Sequence, residues 1–530
     1  MLSRHPFLIP AALLLGGASA SQFATNAVTQ QSAAVLNSVV QIGEYDDDDA
    51  LYLTTPRGTD VENPVPMIFD RNGTAVWMAD STYANAFDMN TGYYNGSQVL
   101  TVWTGTVFSS GHGAGVCSLL DDTYSIVANV TSVGSEGADI HECHIPSSTN
   151  SSALITVYNT IPLDLSCCGG TSDGYLTDCW FQEVNITTGE LIFNWSAVEH
   201  IPLQYSYAAP GGSGTEDDPW DAYHFNSIDK DADGNYLISS RHLHQLFLVN
   251  KTDGEIIWTM GGMVSNFTMG NGTNFEWQHH ARFHNDYTKI SLFDNAAADW
   301  EHDETTARGL LISFDTSTWN ATLDMELLPE PYQNYSNSQG SVHQNADGTW
   351  TVGFGSNPWM TEYTSDGTAT FAMTLGDSNP PMNGAIQNYR WFRVNWEGNP
   401  ADPPALAINN SIAYFSWNGK TAVRSYDLLG GSDADSLSTV STHVRAGFET
   451  NVSLSDFSHD YIGVLARDKS GNELGRSAVL AVSNGSAVAS GSTTNSTTTD
   501  SASSSALSLA AGQKVILAVA AMTTGALSLL

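Results

Sequence analysis

Basic residues are scarce in this chain. Only 18 Lys and Arg face 56 Asp and Glu across 530 residues, a formal net charge of -38. Binding a polyanion requires a basic stripe that displaces counterions, and none occurs, so nucleic acid is excluded as a partner and an anionic membrane surface is disfavoured. Charge of either sign is also low, at 14% of residues, against about 25% in an ordinary soluble domain. Disorder does not follow for most of the chain, because 14 Trp, 20 Tyr and 20 Phe can build a large core. Helical periodicity is almost absent. Cysteine is limited to Cys117, Cys143, Cys167, Cys168 and Cys179, with no C-x-x-C pair, which leaves zinc-ribbon and thioredoxin readings without support. No G-x-S-x-G elbow, Walker loop or dinucleotide fingerprint occurs where its chemistry would need it.

What is present at the two ends reads as processing signals. Arg4, the apolar run from Phe7 to Leu15 and Ala18-Ser19-Ala20 have the basic, hydrophobic and small-residue parts of a secretory signal peptide over 1–20. About fifteen Asn-x-Ser/Thr sequons follow, including Asn72, Asn129, Asn185, Asn250, Asn320 and Asn451, and predict N-linked glycans. Export makes disulfides the default, with an odd cysteine left over and the pairing open. Residues 484–512 are almost wholly Ser, Thr, Ala and Gly, a stalk composition. The apolar tail at 513–530 is shorter than the roughly 20 residues of a membrane span. With the small residues near Ser503 to Ser505, it matches a lipid-anchor (GPI) signal instead. The expectation is a secreted, cell-surface protein that meets the membrane only through that C-terminal anchor.

Between the ends one pattern returns: a β-rich run, a turn of Asp, Asn or Thr with Gly, and a second run ending in Trp or Phe. It is seen at 67–78, 181–195, 245–262 and 360–376, with a weaker copy at 311–327. Such turns between alternating apolar runs are hairpin signals. Five or six consecutive copies predict an all-β fold, a six-bladed β-propeller over 45–403 after an N-terminal segment 21–44. Pro400 to Pro404 read as a linker. About seven short alternating strands over 404–483 then predict a fibronectin-III or immunoglobulin-like β-sandwich.

Nine of the 15 His fall in short motifs at 138–145, 196–203, 221–244 and 275–297, beside Arg241 and Arg282, which stand out in a chain so poor in cations. Any lone His is more often a satisfied core residue, but several beside an arginine suggest a site. Metal binding has little support. His242-Leu243-His244 puts two imidazoles on one strand face, yet the ordered ligand set of a copper oxidase is absent. Asp229, Asp231 and Asp233 begin like a calcium loop, but the twelfth position is Ser240 instead of Glu. No metal and no cofactor are expected.

The strings at 49–78, 138–142 (ADIHE), 181–203, 221–262 (including HFNS and SSR), 277–283 (WQHHARF), 290–297 and 388–400 (NYRWFRVNWEGNP) resemble, in order, the fungal branch of the arylsulfotransferase family. The resemblance runs from about residue 45 to 405. It implies transfer of a sulfuryl group from an aryl sulfate to a phenol, without a nucleotide sulfate donor and through a sulfated histidine. Carried over motif by motif, it implies His279 as the nucleophile, with His141, His224 and Arg241 completing the catalytic set. His343 stands where the family commonly has Gln, so its role is open. Tyr223, Trp277 and His242 flank the motifs and are expected to bind the aryl substrate. A neutral imidazole suits the chemistry as a nucleophile, and a guanidinium suits the charge on sulfuryl oxygens. Two other readings stand beside it: a non-catalytic propeller that binds glycan or a partner protein, and a hydrolase or lyase acting on aromatic metabolites.

Overall fold

A computed structural model describes residues 38–44, 49–284, 286–303, 305–376 and 384–488, with short pieces between 25 and 34. The signal-peptide and tail segments, and nearly all of the stalk, lie outside the described residues. The described chain is all-β, interrupted only by four short 3-10 turns. None of its helices is long and apolar enough to cross a membrane.

Six sheets of four or five strands follow one another, all antiparallel except for one parallel edge pair, 268–269 with 320–321, in the fifth. The first combines 51–54, 67–70 and 75–78 with 392–394, so a late strand completes an early sheet. The second to fourth are four-stranded meanders that begin at Phe87, Cys143 and Phe225. The fifth runs from His279 at one edge to the short strand Thr268–Met269 at the other, the sixth begins at Ser341, and the strand 38–41, from the segment assigned ahead of the propeller, adds the outer edge of the sixth. The hairpins form for a local reason. An Asp or Asn at the start of the turn accepts the backbone N–H groups that follow it, as Asp70 does from Asn72 and Thr74, Asp121 from Thr123 and Ser125, and Asn185 from Thr187 and Thr188. Gly73 and Gly234 take the left-handed conformation in two such turns.

Between neighbouring sheets lie apolar clusters dominated by Trp, Phe, Ile and Leu, including Trp103, Trp195, Trp350, Trp359 and Trp391. The first strands of the sheets are also joined by ions. Arg390 reaches Asp88 at 2.7 Å, Glu142 at 2.9 Å and the carbonyls of His141 and Asn226, while Arg282 reaches Glu142 at 2.8 Å. Cys117 and Cys143 form a disulfide between the second and third sheets. Cys167, Cys168 and Cys179 are free.

Residues 405–481 form two further sheets of three and five strands around a separate cluster that includes Phe415, Tyr426, Leu428 and Val464. This region is docked and not merely tethered by the proline segment. Tyr124 stacks on Trp77 at 4.5 Å and donates to the Gly419 carbonyl, and the Asn418 amide bonds both N–H and C=O of Met78.

Candidate active site

The fold brings the expected histidines together because each stands where the chain enters the first strand of a sheet. His141 precedes the third sheet, His224 precedes the fourth, and His279 opens the fifth. Arg241 follows the second strand of the fourth sheet, and its N–H bonds the His224 carbonyl. These entries are conformationally costly: His224, His244, Trp277 and His280 all have positive φ, a region that L residues seldom occupy.

Two buried carboxylates orient the imidazoles. Asp139 accepts from His141 Nδ1 at 2.5 Å and is itself held by Gly113 N–H and the Thr156 hydroxyl. Asp221 accepts from His224 Nδ1 at 2.5 Å and from His112 Nε2 at 2.9 Å. His141 and His224 therefore turn their Nε2 atoms away from the carboxylates, with rings 4.7 Å apart. Burial raises Asp221, but His224, His242 and His112 more than offset this and keep its carboxyl well below the usual range. Burial drives the His224 imidazole well below its ordinary value despite Asp221. Burial also pulls His112 down, yet the charge and hydrogen bond of Asp221 win and leave it raised. The site thus keeps one ionised carboxylate, one imidazole that favours its proton and one that does not.

His279 is fixed in a single tautomer. The Asn295 amide donates to the Ser336 and Gln339 carbonyls, so its Oδ1 must accept from His279 Nδ1–H at 2.7 Å. The lone pair then lies on Nε2, which accepts from Gln339 N–H at 3.2 Å. Burial foremost, and then the Arg241 cation, hold this imidazole well below its ordinary value. The next residue in the chain after Gln339 is Gly340 at φ 110°, where an added Cβ would meet the Phe293 ring at 2.2 Å.

Arg241 is 5% exposed and has no carboxylate within 4.0 Å among the described residues. It donates to His242 Nε2 at 2.9 Å and to the Asn337 carbonyl at 2.8 Å, and its Nε has no partner. Burial lowers it to about 10, so it remains a cation at neutral pH. Its plane lies 5.3 Å from the Trp277 ring and 5.9 Å from that of Trp300. Of the other ten arginines described, the nine from Arg71 to Arg476 all pair with a carboxylate and Arg57 does not.

The remaining expected residues divide. His242 donates from Nδ1 to the Asp221 carbonyl and accepts from Arg241 on Nε2. Burial pushes it down to about 4. It positions the guanidinium and has no nitrogen left for a substrate. Trp277 is fully buried, donates to Asp303 and forms the wall beside Arg241. Tyr223 does not join the group: its ring is buried in the apolar cluster with Trp195 and Phe225, and its hydroxyl is spent on the Ile201 carbonyl. Its ring and hydroxyl are thus both engaged inside the protein, apart from the histidine group. His343 sits against Phe392 in the sixth sheet, apart from the cluster, and Arg282 belongs to the ionic ties between strands. The sequence reading missed His112, Asp139, Asp221, Asn295, Trp300 and Tyr158, whose ring stacks on His112 at 4.3 Å. Asp221 and Asp139 were legible as an acidic residue two or three positions before a His. Trp300, 59% exposed and 5.5 Å from Trp277, had no signal. His112, Asp221 and His224 place potential ligand atoms within 4.8 Å of one another, a grouping that could accept a metal ion.

The sequence model of the arylsulfotransferase (ASST) family matches residues 93–376, more than half of the chain. The chain belongs to the arylsulfotransferase family. The matched span of this arylsulfotransferase-family chain contains His112, His141, His224, Arg241 and His279. That membership supports a sulfotransferase acting on aryl sulfates. No curated protein matches the chain. Solved structures similar to it include a protein of unknown function from Bacteroides caccae at 10% identity, covering 65% of this chain and 99% of that one with a TM-score of 0.38. A protein from Lactobacillus plantarum is 12% identical, covers 76% and 99%, and has a TM-score of 0.34. A putative 6-phosphogluconolactonase from Bacteroides fragilis is 9% identical, covers 66% and 100%, and has a TM-score of 0.33. Likeness this low says nothing about what the arylsulfotransferase-family chain does.

Proposed function

We propose that this chain is a six-bladed β-propeller with a C-terminal β-sandwich that moves a sulfuryl group from an aryl sulfate ester to a phenol through a sulfated His279, without a nucleotide donor. The observation that carries the reading is Arg241, a buried guanidinium with an orphan donor and no carboxylate, set among imidazoles that burial keeps neutral. A buried cation that no carboxylate touches is costly unless an anion arrives to meet it. A sulfate ester is such an anion.

In the first displacement, His279 Nε2 gives up its bond to Gln339 N–H and attacks sulfur, while the bond from sulfur to the aryl oxygen breaks. The positive charge on the sulfated ring is shared through Nδ1–H with Asn295. Arg241 takes the charge on the sulfuryl oxygens. His141, backed by the ionised Asp139, hands a proton from Nε2 to the departing phenolate, and the carboxylate stabilises the imidazolium that precedes this transfer. In the second displacement the acceptor phenol returns a proton to His141 Nε2 as its oxygen attacks sulfur and the bond from sulfur to His279 Nε2 breaks, so both imidazoles are restored. Trp300, 59% exposed and held edge-on to the buried Trp277, offers its face to the aryl ring.

Incubating the purified protein with a chromogenic aryl sulfate, with and without a phenol, tests the reading. Phenol-dependent colour release is expected, and it should be lost in His279→Ala. A second reading, a metal-assisted hydrolase, is favoured by the His112, Asp221 and His224 grouping. It requires acceptor-independent release that EDTA abolishes, whereas the transfer reaction should survive EDTA.

We also propose that the protein is exported, glycosylated and lipid-anchored at the cell surface. The sequon residues Asn72, Asn129, Asn320 and Asn451 are exposed, which supports glycan attachment. Mass spectrometry of the mature C-terminal peptide tests the anchor.

A further inference from the structure

In so acidic a chain a second unpaired arginine stands out. Arg57 is half-buried and, among the described residues, its side chain makes no hydrogen bond and no ion pair. Its guanidinium carbon lies 3.6 Å from the centroid of the Phe87 ring, so one face is stacked and the donors at its edge are left open. Two separate chains of contact connect it to the residues of the candidate site. Through rings, Phe87 is 5.7 Å from Tyr389, and Tyr389 is 5.9 Å from His141 and donates to the His141 carbonyl. Through the backbone, Arg57 pairs with Gln387, whose side-chain carbonyl accepts from Gln339, the residue that bonds His279 Nε2. Gly58, next in the chain, lets the Ala385 carbonyl come within 2.4 Å of where a Cβ would stand, which fixes the segment against its neighbour.

We propose that Arg57 is a second anion subsite, so that the aromatic substrate carries, besides the sulfate or hydroxyl that reacts, a further anionic group such as a carboxylate. The inference rests on the aryl-sulfate reading of the central group and narrows its substrate class to aromatic acids. Burial lowers the Arg57 guanidinium to about 10, so it is charged at neutral pH and available for a charge-assisted bond. The two unpaired arginines then divide the work: Arg241 faces the group being transferred, and Arg57 selects the rest of the molecule. A charge of -38 would otherwise repel a substrate with two anionic groups.

Calorimetric titration reads this without turnover. The probes are 4-hydroxyphenylacetate, 3-(4-hydroxyphenyl)propionate and the primary amides of both, titrated into wild type, Arg57→Gln and Arg57→Lys. At least one acid should bind wild type about tenfold more tightly than its amide. That ratio should collapse toward one in Arg57→Gln and be partly kept in Arg57→Lys, which preserves the charge and controls for folding. If no acid is preferred by wild type, or if Arg57→Gln keeps the preference, the proposal fails. Sulfuryl transfer to plain phenol, which has no second anionic group, separately tests the reading of the central site.

Discussion

At the scale of single residues the site is defined by which groups hold charge. His279 is kept neutral by burial and by the neighbouring Arg241 cation, with its lone pair directed to Nε2 by Asn295. In the proposed reaction, protonating Nε2 would remove the nucleophile, and a lowered pKa moves that event to lower pH. The kcat/KM for an aryl sulfate should therefore stay level as pH falls through the ordinary imidazole range near 6.5 and decline only further into acid. A pH-rate profile whose acid limb sits at 6.5 or above would contradict this. Arg241 offers a planar fork that an ammonium cannot copy. Arg241→Lys should lower kcat by about 10²–10³-fold, the usual cost of losing an oxyanion donor, as measured by stopped-flow release of a chromogenic phenol. An unchanged rate would show that a point charge is enough.

At the scale of elements the hairpins were legible and the connections that build the site were not. An Asp or Asn followed by Gly between alternating apolar runs is a local instruction, satisfied within a few residues, and Asp70 with Gly73 obeys it. The loop 336–340 answers to distant partners instead. Ser336, Gln339 and Gly340 meet Asn295, His279 and Phe293, all from the fifth sheet. Gly340 is needed twice over, by its positive φ and by the approach of the Phe293 ring. Gly340→Ala should destabilise the protein by about 1–3 kcal/mol and slow transfer by displacing Gln339. Thermal melting and kcat measured together check it, and a normal melt with a normal rate would show that the loop can give way. The histidine motifs were readable as motifs, yet Tyr223, adjacent in sequence to His224, points into the core. Left-handed φ at His224 sends the two neighbours in unrelated directions, and sequence adjacency carries no such information.

At the scale of the whole molecule the imidazoles become a stability term. Burial leads in lowering His224, His279 and His280 well below the ordinary value, His242, His284 and His343 to about 4, and His244 to about 3. Their unfolded pKa lies near 6.5, so below that pH the unfolded chain binds protons that the folded chain refuses. Stability from these groups is complete above about 6.5 and is lost as pH falls toward 4; His112, raised, acts with the opposite sign. Unfolding at pH 5.5 should take up several protons, seen as a dependence of the calorimetric enthalpy on the ionisation enthalpy of the buffer. Net proton release would refute it.

The sequence by itself determined the all-β character, the hairpin turns, the scarcity of cations and the choice of His141, His224, Arg241 and His279 as candidates, because each is written in local composition, spacing or a contiguous motif. Only the tertiary structure decided that His112 shares Asp221 with His224, that Asn295 sets the tautomer of His279, that Arg282 ties strands together, and that Arg57 and Arg241 alone among the arginines described lack a carboxylate. Those facts concern pairs far apart in the chain, and a pairing, or its absence, exists only once the sheets have brought the partners within a few ångströms.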